Sequence, residues 1–207
     1  MALVSWKTAR VTRDDLDLLC PGNWLNDAVI GFWTEYLSTA PPPAGLGDPD
    51  ILLVDAASAN WMAAEDDEED VADALTNLEV QRKKMVLVPV SDRQDKGESL
   101  YQGTHWALLA LTREGEETCA GYYDSMGSSN LPQASALAKK IAGAMGGRFE
   151  GVRAREAGKQ ANACDCGVFT LLFADALARG SDPALVSQGH ATAMRARMRE
   201  TILQLAK

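Results

Sequence analysis

The chain has 207 residues, room for one domain with a proper core and not for two generous ones. Hydrophobic residues at 46% and charged residues at 24% exclude global disorder, a collagen-like repeat and a disulfide-built miniprotein. Asp and Glu (29) outnumber Lys and Arg (20); the net charge of −9 repels nucleic acid and anionic membranes, leaving a basic peptide or protein as the better electrostatic match or solubility as its whole purpose.

The opening MALVSWKTARVTRDD has no apolar core of signal-peptide length, and no later stretch approaches the roughly 18 apolar residues of a membrane span. The four cysteines, Cys20, Cys119, Cys164 and Cys166, have no regular spacing. These features predict an intracellular protein, cytoplasmic or nuclear, with reduced thiols.

Val11 to Leu19 reads as a short helix with Thr12 as N-cap and Asp14 and Asp15 in its first turn. Pro21 and Gly22 break it, and Asn26 or Asp27 caps a second helix over 28–37. The Pro/Gly-rich stretch 40–50 is a loop, and Ile51 to Val54 is a strand or the start of a helix. The acidic run 65–70 opens a solvated helix that continues through Val71, Leu75 and Leu78. Met85 to Val90 (MVLVPV) is a buried strand, Ser91 to Gly103 a polar loop, His105 to Thr112 a second strand and Thr118 to Asp124 a third. A helix over 133–145 ends at Gly146 and Gly147, and Arg148 to Ala154 alternates like a strand. Cys166 to Ala178 is apolar nearly all round and predicts a buried helix. Ala184 to Leu205 is an amphipathic helix carrying Arg195, Arg197 and Arg199. Without regular βαβ alternation this order is α+β.

Of the two histidines, His190 lies in a polar helix start and reads as a surface residue, so histidine chemistry falls to His105. If the strands flanking Arg113–Glu117 pair about Glu114–Gly115, opposed residues sum to 229 and His105 meets Asp124, which would fix its tautomer. Cys166 opens the apolar helix, where the dipole and unpaired N–H groups favour a thiolate; the bland alternative is a small buried hydrophobe. Gly167 then allows close approach of a substrate backbone. A zinc site at Cys164-Asp165-Cys166 lacks a second ligand pair, and no Walker loop, G-x-S-x-G, G-x-G-x-x-G or H-E-x-x-H is present. No metal or cofactor is expected.

The motifs Trp24-Leu25-Asn26-Asp27, Gly103-Thr104-His105-Trp106-Ala107-Leu108-Leu109, Tyr123-Asp124-Ser125 and Asp165-Cys166-Gly167, with Gln160 six residues before Cys166, stand in one order along the chain. In that order they resemble the ubiquitin-like-protein-specific (Ulp, or sentrin-specific) cysteine proteases, most of all the deneddylase branch. The resemblance implies one catalytic domain over 1–207. Its fold would be papain-like, with His-Asp-Cys chain order and a central mixed sheet flanked by helices. It implies His105 as general base and acid, Asp124 as its orienting group, Cys166 as nucleophile and Gln160 as an oxyanion donor beside the Cys166 N–H. Trp24 and Trp106 would flank a modifier's terminal Gly-Gly. Asp27 would either meet a basic residue of the modifier's tail or serve as N-cap. The implied partner is a ubiquitin-like modifier of Nedd type acted on by a monomer. SUMO or ubiquitin as target, or a non-catalytic modifier-binding module, are the alternatives.

Overall fold

The computed structural model describes residues 1–92 and 103–207. The chain opens with a hairpin, β1 (Ala2–Trp6) and β2 (Ala9–Thr12), followed by helices α1 (Arg13–Asp17) and α2 (Asp27–Thr39). The expected helix over 11–19 is thus shorter, because Val11 and Thr12 belong to β2. Its N-cap is as expected: Thr12 Oγ1 accepts the Asp15 N–H, while the Asp15 carboxylate accepts the Thr12 N–H at 2.8 Å. Asn26, not Asp27, caps α2, with Oδ1 accepting the Val29 N–H at 3.0 Å.

β3 (Ile51–Leu53), α3 (Ala56–Ala64) and α4 (Glu68–Asn77) lead into β4 (Met85–Ser91), β5 (Trp106–Glu114) and β6 (Glu117–Tyr123). Then follow α5 (Leu131–Met145), β7 (Arg148–Ala154), α6 (Cys166–Ala178) and α7 (Gln188–Leu205). The loop expected over 91–103 falls, for residues 93–102, outside the described residues. The helix expected from 184 is divided: Pro183–Leu185 form a 3-10 turn before α7.

The five-stranded sheet runs β3-β4-β5-β6-β7, parallel at both edges and antiparallel at its centre. Side chains of β4 and β5 alternate between two apolar layers, as a period of two requires. Leu87, Leu108 and Ala110 join α2, α6 and α7 on one face; Val86, Val88, Leu109 and Leu111 join α3, α4 and α5 on the other. Both strands are covered on both sides, so each reads as an uninterrupted apolar run. Pro89 is tolerated because β3 ends opposite Leu87.

The β5–β6 register corrects the expected one. Leu108 faces Tyr123 and Arg113 faces Thr118, a sum of 231. The turn is centred on Gly115–Glu116, with Gly115 at φ 64, a conformation that costs glycine little. His105 and Asp124 are therefore diagonal neighbours just past the paired residues. A shift of two preserves the face, so their side chains still meet.

Candidate active site

Three segment ends converge at one end of the sheet. His105 immediately precedes β5, Asp124 immediately follows β6, and Cys166 is the first residue of α6, which packs on β5. His105 Nε2 lies 2.9 Å from Asp124 Oδ1. With Nε2 committed there, Nδ1 is the ring nitrogen left to serve the Cys166 thiol, which is one of the groups that raise the His105 pKa. Burial alone would lower the His105 pKa. The hydrogen bonds to Asp124 and Cys166 and their charges outweigh it and raise the group to about 9.

Asp124 is 3% exposed yet well satisfied. Oδ1 also accepts the Met126 and Gly127 N–H groups at 2.8 and 3.1 Å, and Oδ2 accepts the Tyr122 hydroxyl at 2.5 Å. Burial favours its neutral form, but these donors and His105 win and hold the pKa down to about 2. Burial and the neighbouring carboxylate push the Tyr122 phenol upward, keeping it a donor.

Cys166 opens α6, and the preceding Asp165 makes no side-chain cap. The Asp165 carboxylate turns to Arg195, Asn162 and Gln188 instead. First-turn N–H groups of α6 are thus left for a developing anion. Cys166 is buried but lines a cleft of about 310 Å³ with Trp24, Leu25, Asp27, Gly103, Thr104 and Trp106. Trp106 is buried in its wall, whereas Trp24 is 49% exposed at its rim, a large apolar side chain left for a ligand to cover. A larger groove of about 530 Å³ over α2 shares Asp27 with this cleft but contains none of the three converging groups.

The remaining expected residues are placed differently. Asp27 sits in the first turn of α2, with Oδ1 accepting the Ala28 N–H at 3.0 Å, and faces both hollows. Gln160 is tied to the segment after Asp124: its Oε1 accepts the Ser125 hydroxyl at 2.6 Å, and Nε2 donates one hydrogen to Asn162 O at 2.5 Å. The amide retains a second hydrogen. Gly167 is closely packed. A Cβ there would meet Leu25 Cβ and Ile30 Cδ1, each at 3.2 Å, and Trp106 Cδ1 at 3.5 Å. Its missing side chain lets α6 pack against the cleft wall.

Sequence reasoning missed three residues that position His105. Asn130, fully buried, donates to His105 O at 3.0 Å and Val90 O at 3.2 Å. Tyr122 donates to Asp124, and Asp92 accepts the His105 N–H at 3.0 Å. A polar Asn directly before an apolar helix was the one available signal, and it reads equally well as an ordinary cap.

A family model described as the Ulp1 protease family, C-terminal catalytic domain, matches residues 54–206. The chain belongs to the Ulp1 protease family. It is a cysteine peptidase by that membership, and the Ulp1-type α+β fold accounts for its mixed sheet. Sentrin-specific protease 8 of Rattus norvegicus is 25% identical over 216 residues, covering 99% of this chain and 95% of the relative. NEDD8-specific protease 1 of Arabidopsis thaliana is 29% identical over 173 residues, covering 83% and 73%. The solved Ulp1 protease domain in complex with Smt3, the yeast ortholog of SUMO, superposes with a TM-score of 0.75 at 18% identity, covering 100% of this chain and 88% of that one. The deneddylase-type names among the relatives agree with the branch expected from the Ulp1-family motifs.

Proposed function

We propose that this chain is one catalytic domain that cleaves after the C-terminal Gly-Gly of a ubiquitin-like modifier of Nedd type, releasing a lysine amine or a precursor's peptide tail. The observation that carries this reading is the His105–Asp124 pair beside Cys166 at the end of a narrow, tryptophan-walled cleft. The relatives named for sentrin- and NEDD8-directed proteolysis support it.

In this reading the proton shared between Cys166 Sγ and His105 Nδ1 stays on the imidazole while Sγ attacks the carbonyl carbon of the last glycine. The carbonyl oxygen takes up the electron pair. It is met by the Cys166 N–H and the second Gln160 Nε2 hydrogen; such a donor is worth ~3–4 kcal/mol of barrier. His105 then protonates the leaving amine, and a thioester remains on Cys166. Water gives a proton to His105 and attacks the thioester. The modifier leaves as a carboxylate, its acid proton passing to solvent, while the proton taken from water stays on His105 beside the freed Cys166 sulfur. Asp124 keeps the imidazole oriented and stabilises its charged form throughout. In this reading Trp24 and Trp106 flank the tail and admit only a backbone without side chains, which selects Gly-Gly.

The deciding experiment is reaction with a panel of modifiers carrying C-terminal electrophiles. The Nedd-type probe is expected to label Cys166 fastest, and Cys166→Ala is expected to bind the modifier without labelling or cleavage. Faster labelling by a SUMO or ubiquitin probe would reassign the modifier. Binding without labelling of the native chain would leave only a binding module.

A further inference from the structure

Arg195 lies within the stretch whose basic residues the sequence places on an amphipathic helix, yet it is only 5% exposed. Its guanidinium reaches two separate parts of the chain, residues 18–23 and 164–165. Nε donates to Asp165 Oδ1 at 2.7 Å, one residue before Cys166. Nη2 donates to Cys164 O at 3.2 Å and to Asn23 O at 2.7 Å, one residue before Trp24. Nη1 donates to Leu18 O at 2.8 Å. Asp165 is held from its other oxygen by Asn162 and Gln188.

One planar side chain therefore joins the strand of loop that delivers the thiol to the strand of loop that delivers the exposed tryptophan. Stability alone is a weak reason for this arrangement, because buried ion pairs seldom outperform apolar residues of the same volume. A rigid fork addressing carbonyls in fixed directions is suited to setting a distance, and lysine, a single point donor, cannot copy it.

We infer that Arg195 is a positioning residue that fixes the gap between the Trp24 wall and the Cys166 thiol. This inference rests on the peptidase reading above. When the gap is correct, a Gly-Gly backbone clamped at Trp24 presents its carbonyl to Cys166 in line. When it relaxes, the tail still binds but its carbonyl is misplaced. A misplacement of about 1 Å costs on the order of 100-fold in rate.

The test compares the native chain with Arg195→Lys and Arg195→Met. Three quantities are read: kcat and KM on a modifier with a C-terminal fluorogenic amide, the rate of Cys166 alkylation by iodoacetamide, and the melting temperature. Alkylation needs the thiol and imidazole but no clamped tail. The expected result is a fall of about 10- to 100-fold in kcat, with KM and alkylation each changed by less than about threefold, in variants that still melt cooperatively. A kcat within twofold of native in either folded variant overturns the inference. Failure of both variants to fold also overturns it, since it assigns Arg195 to the scaffold. If the native chain is alkylated but cleaves no modifier substrate, it is the peptidase reading that fails.

Discussion

The imidazole of His105 sits between a carboxylate and a thiol, and its proton sets the pH range of the site. With its pKa raised to about 9, the imidazolium persists through neutrality and is lost only as pH rises through that value. Asp124→Asn removes the charge and weakens the hydrogen bond that raise it. The alkaline fall in kcat/KM should therefore move to lower pH, and kcat should drop on the order of 10²-fold or more, as pH profiles of a fluorogenic substrate would show. Asp124 itself works in the opposite direction. Its folded pKa lies below the ordinary carboxylate value of 3.8, so its stabilisation is complete above that value and fades as pH falls through about 2. Tyr122→Phe removes the hydroxyl donor at Oδ2, which lets the folded pKa climb. Acid unfolding followed by circular dichroism should then begin at higher pH, with a loss of about 1–3 kcal/mol at neutrality. The residues that converge here were legible, because His105, Asp124 and Cys166 stand in recognisable local motifs. Tyr122, Asn130 and Asp92 were not, because what they do depends on partners brought in by folding.

At the scale of elements, the sheet strands β4 to β7 and helices α2, α5 and α6 were legible because each carries a clear apolar pattern, with Asn26 marking the start of α2 and Gly146 the end of α5. The β1–β2 hairpin was not. Its two-residue turn, Lys7–Thr8, holds no glycine or asparagine although Lys7 sits at φ 50. The missing turn chemistry comes from α2. The Glu35 carboxylate accepts the Ala9 N–H at 2.6 Å and the Thr8 hydroxyl at 2.8 Å, across 26 and 27 residues. Glu35→Ala should leave the turn without this support and cost about 1 kcal/mol, read as a lower urea midpoint, with amide exchange rising first in residues 2–12. Helix α3 escaped notice for a related reason: AASANWMAA has no apolar stripe, and its carbonyl end is held by Lys140, which donates to Met62 O and Glu65 O.

Across the whole molecule, the β4–β6 sheet centre carries two apolar layers, and the layer under α6 bears on both folding and catalysis. Phe173 is fully buried, its ring 5.8 Å from Phe169 and 6.4 Å from Tyr123, the residue before Asp124. Phe173→Ala should cost about 3–5 kcal/mol in chemical denaturation. It should also slow labelling of Cys166 in the fraction that remains folded, because α6 loses its hold on the sheet. The hairpin that carries His105 and Asp124 is complete some forty residues before Cys166 is reached. The reactive sulfur is the last of the three to be made, and it has no proton acceptor until its helix seats against a finished sheet. During synthesis, and again whenever that helix lifts away, sulfur and base lie apart, so under the proposed mechanism a half-built or damaged molecule lacks the pair that cutting its neighbours would require.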